Sequence, residues 1–205
     1  MYISLGSDCV TKKRIEEIKF DGEKQKSNIF DWVLIDLKAI NFILKHGIHV
    51  FNTDNWYVVC KRTQDDKYII RNKLCYFVSL HDADSNLSEE EAILKISEMY
   101  VRRFNRLIEI LRSDEEIQFV GTYDKLNPIQ EGDMVITILD IENFIKNINM
   151  YRENNFNILL ILSDYSHLIL PNALPLNVKI INSNEYILKD WYRFHFDWNQ
   201  IMEKI

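Results

Sequence analysis

The sequence predicts an α/β fold with three layers, in which helices flank a mostly parallel sheet. Short β-rich runs alternate with amphipathic helical segments along the 205 residues, and strands separated by helices favour parallel pairing through right-handed crossovers. Residues 156–162 form an apolar run without polar alternation, which is typical of a strand buried on both faces. The length suits one α/β domain over residues 1–205 with a sizeable core.

Local signals place the elements of this fold. Ser88 and Glu91 form a capping-box pattern before a long amphipathic segment, Gly47 is placed to end a helix, and residues 64–67 predict a hairpin turn. The predicted elements, in chain order, are a strand over 2–5, helices over 9–18 and 31–45, a small β-hairpin insertion around 50–80, a helix over 88–112, a strand over 117–120, a helix over 140–149, strands over 156–162 and 178–181, and a closing helix over 191–202.

Composition excludes several classes of protein. The net charge of −6, from 25 basic and 31 acidic residues, disfavours a nucleic-acid binder, because phosphate neutralisation needs a basic surface. No apolar run approaches the ~20 residues of a membrane-spanning helix, so we expect no membrane partner. Three cysteines and no signal-peptide pattern favour a reducing, cytoplasmic compartment. The cysteine and histidine spacing matches no zinc pattern, and no Gly-rich phosphate fingerprint is present, so we expect no metal and no cofactor.

The candidate chemistry begins at Cys9. The run Gly6-Ser7-Asp8 ends the first predicted strand, and Cys9 then opens the predicted helix with Ser7 or Asp8 as its N-cap. The carboxyl end of a strand and the N-terminus of a helix both favour an anionic thiolate, which is the reactive form of cysteine. The same loop is expected to contact substrate, while a cysteine that merely packs in the core is the structural alternative.

Cys60 and Cys75 lie in β-like segments, and we expect both to belong to the core.

His81 is the preferred general base. It ends a predicted strand and enters an acidic loop, where a neighbouring carboxylate can orient the ring. Asp82 is a poor geometric partner for it, because adjacent residues of an extended chain point apart. The other candidate bases are His46, His49, His167 and His195. The orienting acid stays open between Asp31, for which helix capping is an alternative role, and Asp164, which closes a buried strand.

Five motifs, in order, resemble a known family. They are Ile3-Ser4-Leu5-Gly6-Ser7-Asp8-Cys9, Phe30-Asp31-Trp32, Ser79-Leu80-His81-Asp82, the segment 100–107 with its Tyr-x-Arg-Arg pattern, and the strand 117–120. Together they resemble the family of papain-like cysteine peptidases that is classed as a domain of unknown function and occurs in bacteria and large DNA viruses. The resemblance covers about residues 1–120. It implies Cys9 as nucleophile and His81 as base, with Phe30-Asp31-Trp32 shaping the floor of the site.

The sequence departs from the family pattern at two places. Ile29 replaces the proline before Phe30, and Gly121 stands where the family tends to carry an arginine. The strand–helix order is also unlike papain. It is similar to flavodoxin-like SGNH hydrolases and related cysteine acyltransferases, in which the nucleophile follows the first strand.

The leading hypothesis is therefore a cysteine-dependent hydrolase that acts on a peptide or a small acyl substrate. Cys9 would attack a carbonyl, and backbone N–H groups near Ser7 and Cys9, with Gly121, would hold the oxyanion. The alternatives are an SGNH-like esterase or acyltransferase, and a non-enzymatic module that binds a partner or an anion. In the anion-binding hypothesis, the Gly6-Ser7-Asp8 loop at the helix N-terminus would hold a phosphate or carboxylate. Arg102, Arg103 and Arg106 would add to this site if they turn inward, and a solvated helix face is their structural alternative.

Overall fold

The computed structural model describes residues 1–6, 9–22, 25–123, 136–153, 155–162, 174–182 and 198–203, with Cys9 and Val10 described by their backbone alone. The strands are β1 (Tyr2–Ser4), β2 (Val33–Ile35), β3 (Trp56–Arg62), β4 (Lys67–Asn72), β5 (Phe77–Asp84), β6 (Ile117–Tyr123), β7 (Phe156–Leu162) and β8 (Val178–Asn182). The helices are α1 (Cys9–Lys19), α2 (Leu37–His46), α3 (Glu89–Leu111), α4 (Ile138–Asn149) and α5 (Trp198–Met202), with short 3₁₀ turns at Gly47–Phe51 and Thr53–Asn55.

A parallel sheet is present, as predicted. Its strand order is β1-β6-β7-β8, and every pairing is parallel. Ile3 lies beside Phe119, which in turn lies beside Ile158. The sheet thus brings the first strand of the chain against strands from its second half.

A second sheet of equal size is antiparallel, with the order β2-β5-β4-β3. The predicted hairpin is present as β3 and β4, but it belongs to this four-stranded sheet and is not a small insertion. The fold is therefore a mixed α/β fold, and parallel strands make up half of the eight described strands. The sequence prediction underestimated the antiparallel part because β2 was predicted as helix. β3, β4 and β5 pair with their neighbours in sequence, but β2 pairs with β5 across more than 40 residues.

The helix predicted over 31–45 begins later than expected. Val33–Ile35 form β2 instead, and Asp36 is the N-cap, with its side chain accepting a hydrogen bond from the Ala39 N–H at 2.6 Å. Val33 and Ile35 are β-branched, and such residues favour a strand over the first turn of a helix. The predicted end of this helix is confirmed, since Gly47 ends α2 with φ +67°.

Apolar packing covers both faces of the parallel sheet. One face, with Phe119 and Leu160, joins the main core together with α2, α3 and α4. The opposite face packs Leu159 and Ile161 against Ile15 of α1 and against α5. The prediction that strand 156–162 is buried on both faces is confirmed.

The predicted long helix is confirmed as α3, and both hydrogen bonds of its capping box are present. Ser88 accepts from the Glu91 N–H, and the Glu91 carboxylate accepts from the Ser88 N–H at 2.9 Å. A second capping box, between Thr137 and Asp140, begins α4. Within the described part of the chain, none of the helices combines the length and the apolar character needed to cross a bilayer.

Candidate functional site

Cys9 is the first residue of α1, and it follows the end of β1 closely. Gly6 makes this turn possible: its φ is +73°, and a Cβ at this position would overlap Cγ2 of Ile35. Only glycine adopts such a backbone at so close an approach without strain. The predicted position of Cys9, at the carboxyl end of a parallel strand and in the first turn of a helix, is confirmed for its backbone. Ser7, Asp8 and the Cys9 side chain lie outside what the structure describes.

His81 lies on a bulge of β5. The pairs Tyr68–Ala83 and Ile70–Ser79 leave one residue of β4 opposite residues 80–82 of β5. A bulge bends the strand and redirects its side chains, and bulges are frequent beside active sites. The bulge leaves the His81 side chain 38% exposed, so its ring is accessible to a ligand.

The ring of His81 contacts the β3–β4 hairpin. Arg62 Nη2 lies 2.8 Å from Nδ1 of His81, and Asp65 Oδ2 lies 3.6 Å from the same nitrogen. Arg62 also donates two hydrogen bonds to the Asp65 carboxylate, from Nε to Oδ1 at 2.7 Å and from Nη2 to Oδ2. The hydrogen bond from Arg62 holds the pKa of Asp65 below its usual range. Neither Arg62 nor Asp65 was predicted as a site residue, although the predicted hairpin turn at 64–67 contains Asp65.

Asp82 points away from its neighbour His81, as expected for adjacent residues of a strand. Its carboxylate accepts from Ser79 Oγ at 2.9 Å and from the Tyr100 hydroxyl at 2.7 Å, and Arg103 Nη2 lies 3.1 Å from Oδ1. The side chains of Asp82 and Arg103 are each 12% exposed. This network ties the bulge that carries His81 to α3.

Asp31 is fully buried and binds α1. Lys12 Nζ lies 3.2 Å from Asp31 Oδ2, and the Asn28 N–H donates to the same oxygen at 2.7 Å. Burial raises the pKa of Asp31 above its ordinary value, while the positive charges of Lys12 and Arg103 oppose this rise. Among the described residues, Asp31 caps no helix and makes no hydrogen bond to His81. Its oxygen Oδ1 has no hydrogen-bond partner among the described residues.

The motif residues therefore converge on one buried polar cluster. Lys12, one turn after Cys9, pairs with Asp31, whose charge interacts with Arg103, and Arg103 pairs with Asp82 beside His81. Buried ion pairs are costly to break, because the remaining charge is left in an apolar environment. The Lys12–Asp31 pair thus holds α1 to the segment before β2, and the Arg103–Asp82 pair holds α3 to the bulge of β5.

Two further predicted residues have defined environments. Trp32 is half-buried with φ +65°, a conformation that is rare for a bulky side chain and is found where surrounding structure enforces it. Gly121 is buried inside β6, where the Tyr123 ring and Leu160 cover the position of a Cβ. Gly121 therefore has a packing role, and its contact with an oxyanion stays a prediction.

The remaining candidates divide between described and undescribed parts of the chain. His46 packs its ring against Phe42 at a centroid distance of 4.3 Å in the last turn of α2. His49 lies in the 3₁₀ turn that follows. Asp164, His167 and His195 lie outside the described residues.

The environments of the other cysteines and arginines differ from one another. Cys60 is exposed, so the prediction that it belongs to the core was wrong; it lies beside the bulged position of β3. Cys75 is half-buried and packs against the core, and burial raises the pKa of its thiol to about 12. Arg106 turns inward like Arg103 and donates to the Ser27 carbonyl at 2.6 Å, while Arg102 is exposed.

No set of three or more His, Cys, Asp or Glu side chains in the described ranges is arranged to hold a metal ion.

The comparisons with known proteins bear on the thiol chemistry. A family model described as "Putative papain-like cysteine peptidase (DUF1796)" matches residues 1–166. The search of curated proteins found no match, and neither did the search of solved structures. The matched segment includes all five motifs and covers well over half of the 205 residues. The chain therefore belongs to the family that carries this description, "Putative papain-like cysteine peptidase".

Proposed function

We propose that this chain is a cysteine-dependent hydrolase or acyltransferase with Cys9 as its nucleophile. The observation that carries the proposal is the position of Cys9 as the first residue of α1, with four residues between it and the end of the parallel strand β1. Unpaired N–H groups and the helix dipole at this position favour the thiolate over the thiol. The family to which the chain belongs supports the same chemistry.

The reaction is an acyl transfer in two steps. Cys9 Sγ attacks the substrate carbonyl carbon while its proton passes to His81, which then gives that proton to the leaving group. Water or another acceptor attacks the thioester, releases the acyl group and restores the thiol. Backbone N–H groups near Ser7 and Cys9, with Gly121, hold the oxyanion, and the Gly6-Ser7-Asp8 loop and Trp32 contact the substrate.

The acid that orients His81 is proposed to be one of three carboxylates. Asp31 and Asp164 are the residues that the sequence favours, and the structure adds Asp65, which lies 3.6 Å from His81 Nδ1. The contacts of Asp31 with Lys12 and Asn28 favour a positioning role for it. Asp65 is the carboxylate that can accept from Nδ1 when that nitrogen carries a proton: Arg62 Nη2, a donor that lies 2.8 Å from Nδ1, then has to turn away, and a contraction of less than about 1 Å brings Asp65 to hydrogen-bond distance.

An SGNH-like esterase is the second candidate. A parallel sheet with apolar packing on both faces, and a nucleophile after its first strand, favour a flavodoxin-like arrangement over that of papain. The anion-binding alternative loses one of its three arginines, since Arg103 is paired with the Asp82 carboxylate.

An activated acyl ester and a labelled peptide library test the proposal together. Mass spectrometry of the wild-type chain should find the acyl group on Cys9, while Cys9→Ser should remain unmodified at the same temperature of unfolding. Cys60→Ser is the matched control and should behave as the wild type. His81→Gln should slow acylation by about 10²-fold or more. Turnover of esters alone would identify an esterase, and turnover of peptides a peptidase. Acylation of Cys60 in place of Cys9 would refute the proposal.

A further inference from the structure

A cavity of about 460 Å³ lies apart from the hairpin and the bulge that surround His81. It is bounded by the start of β1, by α1, by Phe20 and residues 25–28 of the loop after α1, and by the C-terminal part of α3. The lining residues are Met1, Tyr2, Lys12, Phe20, Gln25, Lys26, Asn28, Arg106, Leu107 and Ile110. Its volume falls within the range of about 300–1,000 Å³ that is typical of small-molecule sites.

The walls of this cavity are largely apolar. Tyr2 and Phe20 form an edge-to-face pair with ring centroids 6.4 Å apart, and Leu107 and Ile110 of α3 also line the cavity. Leu107 is buried and Ile110 is half-buried. Such walls favour an aliphatic chain, since burial removes apolar surface from water on both sides.

Cations surround the same cavity. Lys12, Lys26 and Arg106 line it, and Lys19 Nζ lies 5.4 Å from the centre of the Tyr2 ring. Lys12 is neutralised by its ion pairs with Asp31 and Glu16. In the part of the chain that the structure describes, neither Lys26 nor Arg106 forms an ion pair with a carboxylate. A positive rim on a chain of net charge −6 is complementary to a negative ligand.

We propose that this cavity binds an amphipathic anion, namely the carboxylate of a fatty acid with its aliphatic chain. The carboxylate lies at Arg106 and Lys26, and the chain lies between Tyr2, Phe20 and Ile110. Arg106 Nη1 donates one hydrogen to the Ser27 carbonyl at 2.6 Å, and the remaining donors of the planar guanidinium are suited to bind both carboxylate oxygens. An inorganic anion lacks the chain that the apolar walls require. A cationic amphiphile has the chain but is repelled by the rim.

Calorimetric titration of the full chain with decanoate tests this site. Decyltrimethylammonium and inorganic phosphate are the matched probes, since each keeps one half of the decanoate structure. Decanoate should bind at least tenfold more tightly than either probe. Binding should be the same in wild type and in Cys9→Ser, so that the result is independent of the proposed acyl transfer.

Variants locate the site. Arg106→Gln should weaken decanoate by about tenfold and Lys26→Gln by about threefold. Arg102→Gln, on the same helix but exposed, should have no effect. Lys26 is exposed, so its variant remains informative if Arg106→Gln does not fold. The proposal is overturned if decanoate does not bind below about 1 mM, if either probe binds equally well, or if Lys26→Gln and Arg102→Gln leave the same affinity as the wild type.

Discussion

The buried pair of Lys12 and Asp31 predicts a large stability loss in Lys12→Met. The side chains are 6% and 0% exposed, and the ammonium lies 3.2 Å from the carboxylate. Methionine has a similar length, so the variant removes the charge and leaves little empty space. Asp31 is then a buried carboxylate with one hydrogen bond from the Asn28 N–H. Removing one partner of a buried pair costs about 3–5 kcal/mol.

The loss should depend on pH. Because burial raises the pKa of Asp31, the folded protein binds this proton at a higher pH than the unfolded chain does. The free energy of unfolding therefore falls as pH rises between the unfolded and the folded pKa values. Lys12 opposes the rise in pKa, so this interval widens in Lys12→Met. The variant should lose more stability near about pH 7.5 than near about pH 5.

Urea unfolding at these two pH values measures the effect, and Lys13→Met is the control. Lys13 is the next residue of α1, its side chain is 66% exposed, and its partner Glu17 is 38% exposed. Its variant should change the free energy of unfolding by less than about 1 kcal/mol. Equal losses in the two variants, or a loss in Lys12→Met that does not change with pH, would refute the assignment of a buried ion pair.

Three further predictions concern single sites. Gly6→Ala should lower the free energy of unfolding by about 2–4 kcal/mol through backbone strain and overlap. Gly22 has φ +82° and open space around it, so Gly22→Ala should cost only about 1 kcal/mol. Equal losses of the two variants in thermal denaturation would contradict this. Asp82→Asn should cost about 2 kcal/mol or more by leaving a buried arginine without its carboxylate, and unchanged urea unfolding would disprove the network. Cys75 is half-buried, and burial raises the pKa of its thiol to about 12. It should react with an alkylating agent more slowly than the exposed Cys60 in the folded protein, and equal rates for the two would contradict this.

Local signals in the sequence predicted the elements whose causes are local. The Ser88–Glu91 capping box and the Gly47 helix end depend on residues within one turn, and both are confirmed. The prediction of a helix from Asp31 was wrong because apolar spacing over 33–44 fits a strand followed by a helix equally well. Asp36, a standard N-cap residue, was the signal that could have separated the two.

The parts of the site that depend on distant contacts could not be predicted. The pairing of β1 with β6 joins segments more than 100 residues apart, and the bulge that carries His81 appears only in the register with β4. The motifs singled out Asp31 and His81, and the catalytic roles of both stay predictions. Their partners, Lys12 and Asp65, come from other elements, and nothing in the local sequence links the members of each pair.

The pH dependence of iodoacetamide alkylation at Cys9 tests the central claim most directly. A Cys60→Ser, Cys75→Ser variant leaves Cys9 as the single thiol, and free N-acetylcysteine is the reference. The account predicts that the alkylation rate reaches half of its maximum at a pH well below the free-thiol pKa of about 8.5. In His81→Gln, this pH should shift towards the free-thiol value. A Cys9 that reacts like the free thiol, or more slowly at every pH, would contradict the account.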